Sequence, residues 1–262
     1  MAGPDEEWYV EPSSWNFVIT PVSIISFIIA LILPKLLSPL ACGIFQPRTK
    51  NIPPKLQTHF HTLISSTIHA IVVTVIDVYL ILSGSLGTNY IFSKNSLGFA
   101  SLQFSLGYFV GDFIVCFMDP YLRSDMGSIS HHVTGLLSIS FSLANQGIFM
   151  YLITFRTIAE LSTPFVNLRW YHYQLGNKDN FWYKFASLSM MALFFLSRIA
   201  TLPYNWYALI VTLMDPQCAV IVKIYYRVWI VSGYLVLDFL NLYWFSKMLK
   251  GARKFFSQKK DS

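Results

Sequence analysis

The sequence predicts an all-α polytopic membrane protein with seven transmembrane helices, and three observations carry that reading. Of 262 residues, 54% are hydrophobic and only 12% charged, about half of the roughly 25% charged share of a soluble domain. Seven apolar segments approach the ~20 residues that cross a bilayer as a helix. Lys and Arg crowd into alternate loops, because these residues are retained on the cytosolic side during insertion.

In chain order the predicted spans are 17–33, 59–82, 98–118, 129–144, 148–166, 181–202 and 228–245. A luminal amino terminus gives the cytosolic segments fourteen Lys and Arg residues and leaves three for the luminal loops, Lys94, Lys223 and Arg227. An odd number of spans then places the carboxyl terminus in the cytosol. There the closing Lys259-Lys260-Asp261-Ser262 reads as a dilysine-like retrieval signal, which points to the endoplasmic-reticulum membrane. Interfacial aromatics mark the same boundaries: Trp8, Tyr9 and Trp15 before the first span, 170–173 and 182–183 around one cytosolic loop, and 204–207 after the sixth span. Gly107 and Gly111 form a GxxxG that permits close helix approach. Pro164 should kink the fifth helix.

The same composition excludes other classes. The formal charge of +6 sits in loops and the tail, where it serves topology, so no nucleic-acid partner is expected. Cys42, Cys116 and Cys218 are odd in number and lack CxxC or metal-ligand spacing, which argues against a disulfide framework and a metal centre. The first sixteen residues carry Asp5, Glu6, Glu7 and Glu11 but no Lys or Arg, unlike the basic start of a cleaved signal peptide. The chain divides into residues 1–54 (luminal start, first span and cytosolic loop), 55–253 (six spans) and a basic tail, 254–262.

Chemistry concentrates between Ser128 and Trp170. His131 and His132 lie in one apolar run, Arg156 and Glu160 in the next, on either side of the turn Asn145-Gln146-Gly147. Ionisable groups in a span cost several kcal/mol and mark functional candidates. At about 1.5 Å per residue, His132 and Glu160 both lie roughly 21 Å from Gln146, so they share a level. Arg156 precedes Glu160 by four residues, on the same helix face, where the two could pair. Asp112, Asp238 and Asn241 fall in the same cytosolic half, with His59 and His61 at its edge. Asp77 falls in the luminal half; it, His69 and His172 are expected to be structural, and Arg198, near the luminal end of its span, is expected to snorkel. Adjacent histidines on a helix diverge by about 100°, and no HExxH occurs, so a metal site is not expected.

The histidine pair opening a span, the small-residue helix after it, the Asn-containing turn and the run ELSTPFVNLRW (160–170) together resemble the TLC domain shared by ceramide synthases and the translocating-chain-associating membrane protein, over roughly 55–253. The resemblance implies a six-helix bundle preceded by one extra helix, around a pocket open toward the cytosol. In ceramide synthases the histidine pair and a following HDxxD carry acyl transfer from acyl-coenzyme A to a sphingoid amine. That pair falls on His131 and His132 here, and the turn asparagine on Asn145. Where HDxxD would stand the sequence reads FRTIAEL, with Glu160 the one carboxylate and Arg156 an added cation.

The leading expectation is therefore a protein that binds lipid in its bundle cavity and acts in lipid homeostasis. The candidate catalytic residues are His131, His132 and Glu160, and the candidate lipid-binding residues are Arg156, Asp112, Asp238 and Asn241. No cofactor is expected. Membrane lipids, sphingolipid or phospholipid, are the expected partners, with a homodimer left open. The alternative is an N-acyltransferase with acyl-coenzyme A as co-substrate. A lipid transporter ranks below both, since no inverted repeat is visible.

Overall fold

The structure is a computed structural model that describes residues 18–44 and 52–258. The aromatics Trp8, Tyr9 and Trp15, the acidic start and the Lys259-Lys260 ending lie outside the described residues. Among the described residues eleven α-helices run α1 Pro21–Ile44, α2 Pro54–Leu82, α3 Ser96–Met118, α4 Pro120–Arg123, α5 Met126–Ala144, α6 Met150–Thr157, α7 Thr163–Gln174, α8 Phe181–Phe194, α9 Leu202–Met214, α10 Pro216–Ile221 and α11 Ile224–Gln258. A 3-10 segment, Ile158–Ser162, joins α6 to α7, and a π-helical segment, Phe195–Ile199, precedes α9. Among the described residues the one β feature is an isolated bridge between Phe92 and Ile148.

Among the described residues four helices are long and apolar enough to cross a membrane: Lys55–Leu82, Ser96–Met118, Phe181–Met214 and Ile224–Arg253. This establishes an all-α membrane protein. The first, fourth and fifth predicted spans fall outside that set, the first as the shorter apolar helix Pro21–Ile32, and the sixth is longer than predicted. The fourth is the 19-residue α5, diluted by His131, His132 and five serines. The fifth is broken by the 3-10 turn just before Pro164, which sits in the first turn of α7, where its missing N–H costs nothing. The sixth was expected to stop at Leu202 but continues through the π segment to Met214, because Pro203 likewise occupies a first helical turn.

Local chemistry explains the joints. Asn95 caps α3 by accepting from Gly98 N at 2.9 Å. At the other end, Asp119 caps α4 through Tyr121 N and Leu122 N, and Asp125 caps α5 through Gly127 N, Ser128 N and the Ser128 hydroxyl. These two Asx caps fix the direction of α5 and thus of its histidines. The α5–α6 turn has left-handed backbone at Gln146 (φ 53°), Gly147 (φ 97°) and Phe149 (φ 60°). It is held to the α2–α3 loop by Ser93 N→Gly147 O (3.3 Å) and Phe149 N→Ile91 O (2.8 Å), with Phe149 and Met150 fully buried.

α1 lies on the GxxxG face of α3. The Ser26 hydroxyl donates to Phe104 O at 2.5 Å, and a Cβ at Gly111 would sit 2.8 Å from Ala30 Cβ. At the opposite end of the bundle from the turn, Ile52, Leu56, Phe60 and Leu63 pack with Trp170, Tyr171 and Leu175. This ties the start of α2 to the end of α7. Apolar stripes remain exposed, among them Ile71, Val75, Tyr79 and Leu82 on α2 and Leu235, Phe239 and Leu242 on α11. Helix-spaced exposed stripes of this size suit an acyl environment.

Candidate functional site

Two histidine–carboxylate contacts form where α3, α5 and the 3-10 segment converge. His131 Nε2 lies 3.6 Å from Glu160 Oε1, and His132 Nε2 lies 3.3 Å from Asp112 Oδ2. The ~100° divergence of adjacent residues on α5 sends each ring to its own carboxylate. Phe109 meets both rings edge-on, with centroids at 6.1 and 5.4 Å. Glu160 also accepts from the Thr163 hydroxyl at 2.7 Å and faces Arg198 Nη2 at 3.7 Å.

Two expectations require correction here. Arg156 does not pair with Glu160; its Nη1 lies 2.6 Å from Asp238 Oδ1, and its guanidinium covers the Tyr234 ring at 4.2 Å. The reason is the 3-10 turn, which advances about 120° per residue against 100° in an α-helix and so rotates Glu160 off the Arg156 face. Arg198 does not snorkel. It is 7% exposed, donating from Nε to Ala159 O (3.0 Å) and from Nη1 to Asn241 Oδ1 (3.3 Å). Because the helix runs on to Met214, Arg198 sits in the middle of the rod, not at its end.

The seven candidate residues thus separate into groups. His131, His132 and Glu160 line a cavity of about 650 Å³. Asp112 backs His132, Asn241 backs Arg198, and Arg156 with Asp238 forms a separate pair toward the turn, closed by Trp206 Nε1→Asp238 Oδ2 at 2.8 Å. Those four residues are not on the cavity wall. Asp77, fully buried, accepts from the hydroxyls of Ser101 (2.6 Å) and Thr157. His69 stacks on Tyr108 at 4.0 Å and meets Ser105 Oγ at 3.2 Å. His59 packs against Trp170 at 4.6 Å.

Sequence reasoning missed Arg198, Thr163, Trp206 and the wall residue Trp244. Arg198 carried a usable signal, since an arginine seventeen residues into an apolar run that resumes beyond Pro203 is mid-span. The hydroxyl and indole partners carried none. Among the described residues, Asp112, Cys116 and His132 could hold a metal, their donor atoms lying within 4.8 Å of one another. Within that trio the Cys116 thiol donates to Asp112 Oδ2 at 3.6 Å and His132 Nε2 faces the same oxygen at 3.3 Å, while His132 Nδ1 is buried without a hydrogen-bond partner.

The cavity lies at the end of the bundle where α5 and α8 begin and α7 and α11 end. Its walls are Val166, Leu188, Met190, Met191, Phe194 and Trp244, and its floor is His131, Glu160 and Arg198. An apolar sleeve over a hydrogen-bonded, charge-compensated floor can hold an alkyl chain and position a polar group beside an imidazole.

A multi-helix membrane bundle with a paired-histidine cavity defines a class, and comparison identifies it. Residues 59–250 match the family model of the TLC domain, and the chain belongs to that family. It is similar to TLC domain-containing protein 4-B of Danio rerio, 26% identical over 219 residues, covering 83% of this chain and 82% of that protein. It is 32% identical over 163 residues to TLC domain-containing protein 4-A of Xenopus laevis (62% of each chain), and 29% identical over 211 residues to TLC domain-containing protein 4 of Homo sapiens (78% and 77%). No solved structure matches the chain.

Proposed function

We propose that the cavity holds a membrane lipid and that the protein acts in membrane lipid homeostasis, in the endoplasmic-reticulum membrane with its amino terminus luminal and its carboxyl terminus cytosolic. The observation that supports this is the cavity: about 650 Å³, walled by Leu188, Met190, Met191 and Phe194 and floored by His131 and Glu160. That volume lies within the ~300–1,000 Å³ range of small-molecule sites. The test is extraction and mass spectrometry of lipid co-purified with the detergent-solubilised protein. A stoichiometric lipid is expected, lost in a Leu188→Trp, Met191→Trp variant that fills the cavity. Lipid retained unchanged in the filled variant would overturn the reading.

The contact of His131 with Glu160 favours a second reading, an N-acyltransferase. A lipid amine would form the C–N bond to a thioester carbonyl as the C–S bond breaks. His131 would take the amine proton and pass it to the departing thiolate, with Glu160 holding the imidazolium. Supplied with acyl-coenzyme A and a sphingoid amine, the protein would then yield an N-acyl product that disappears in His131→Ala. No product from the wild-type protein, with lipid still bound, would remove this reading and leave the first.

A further inference from the structure

The rim of the cavity is cationic in a way its floor is not. Arg169 near the end of α7, Lys184 near the start of α8 and Lys247 on α11 all line the cavity. Among the described residues, ion pairs join Arg198 to Glu160 and Arg156 to Asp238, and the imidazoles of His131 and His132 meet Glu160 and Asp112. None of them reaches the three rim cations. Arg169 lies over the Tyr183 ring at 5.5 Å and Lys247 over the Tyr243 ring at 4.2 Å, contacts that orient a cation without neutralising it. On the floor, Glu160 is already matched by Arg198. The rim therefore carries three uncompensated positive charges above a balanced floor.

Cytosolic retention alone does not account for this arrangement. Arg123, Lys178 and Lys250 lie at the same end of the bundle and equally serve topology, yet they do not line the cavity. The depth also fits an amphiphile. Lys184 precedes Arg198 by fourteen residues, and Arg169 follows Glu160 by nine, so at about 1.5 Å per residue the rim stands roughly 14–21 Å from the floor. That is the separation between a headgroup and the buried part of its chain.

We propose that Arg169, Lys184 and Lys247 select an amphiphile whose headgroup is net anionic through phosphate, its acyl chain running down the Met191 and Phe194 wall toward His131. This assignment rests on the lipid reading of the cavity and names the class of lipid. Guanidinium and ammonium groups at the membrane surface recognise phosphate by charge-assisted hydrogen bonds. A headgroup that is neutral overall, or cationic, would forgo this attraction or meet repulsion.

The experiment measures binding of dioleoyl phosphatidic acid, oleoyl-coenzyme A and dioleoyl phosphatidylcholine to the purified full chain in uncharged detergent. At least one of the two phosphate-rich probes should bind on the order of tenfold more tightly than phosphatidylcholine at low salt. Which one does distinguishes a phospholipid from a thioester as the source of the phosphate. Arg169→Ala, Lys184→Ala, Lys247→Ala together should abolish that preference, and the Arg169→Lys, Lys184→Arg, Lys247→Arg variant should keep it. The control triple Arg123→Ala, Lys178→Ala, Lys250→Ala removes the same charge from the same end and should also keep it. Equal binding of all three probes, or equal loss in the two alanine triples, overturns the headgroup assignment while lipid binding itself stands. Binding of no probe overturns the cavity reading as well.

Discussion

His131 and Glu160 meet across the α5–α6 hairpin, Nε2 to Oε1 at 3.6 Å, and the same carboxylate oxygen lies 3.7 Å from Arg198 Nη2. One carboxylate therefore does two things. It orients an imidazole that faces the cavity, and it compensates an arginine buried in the middle of a helix. Those duties separate on mutation.

Glu160→Leu should be much more destabilising than His131→Ala. Removing the carboxylate strands Arg198 without a counter-charge, and breaking one side of a buried pair costs about 3–5 kcal/mol. Removing the imidazole leaves the Glu160–Arg198 contact and the Thr163 bond in place. Thermal unfolding in detergent should show a large drop for Glu160→Leu and a small one for His131→Ala. Equal drops would mean that the carboxylate serves only the histidine.

Arg156, partly buried, and the buried Asp238 form a second pair, at 2.6 Å, and should behave as a coupled unit. Arg156→Leu and Asp238→Leu should each destabilise, and the double variant should recover a large part of the loss, with an interaction of about 1–3 kcal/mol in the cycle. Additive losses would show that the two side chains are held independently by Tyr234 and Trp206.

How much of this was legible in the sequence depends on whether a feature is local or three-dimensional. The all-helical membrane class follows from composition, and the common level of His132 and Glu160 follows from counting residues outward from Gln146, because helical rise is nearly constant. Pairing across helices does not follow from counting. Glu160 was matched to Arg156 by assuming one unbroken α-helix, and five residues of 3-10 geometry changed the phase. Ending the sixth span at Leu202 puts Arg198 near a luminal end, whereas Pro203 in a first helical turn lets the rod continue to Met214. The division of the candidates into cavity lining and bracing had no sequence signal, since depth along a helix says nothing about which way a side chain faces.

Gly107 should be intolerant of any side chain. A Cβ there would overlap the Ser23 carbonyl oxygen, and backbone cannot move aside as a flexible side-chain end can. Gly107→Ala should separate α1 from α3 at a cost of roughly 1–3 kcal/mol, read as lower thermal stability and faster proteolysis near Pro21–Ile44. Gly251→Ala, where nothing lies within 4 Å, should leave both measurements unchanged. If Gly107→Ala also changed nothing, α1 would not pack on the GxxxG face.

The orientation has a direct test in two loops that the bundle holds at opposite ends. The α2–α3 loop carries Lys94 alone, whereas the α7–α8 loop lies among Arg169, Lys178 and Lys184, so the charge rule puts the first in the lumen and the second in the cytosol. The native chain has no Asn-x-Ser/Thr acceptor, which makes introduced sites unambiguous. A glycosylation acceptor inserted with a short spacer beside Gly84, where the backbone is exposed, should be modified during synthesis into microsomes. One inserted beside Gly176 should not. The reverse pattern would invert the protein, placing the cavity rim and its three cations in the lumen. Modification at both sites would mean that the spans between them do not end on opposite sides of the bilayer.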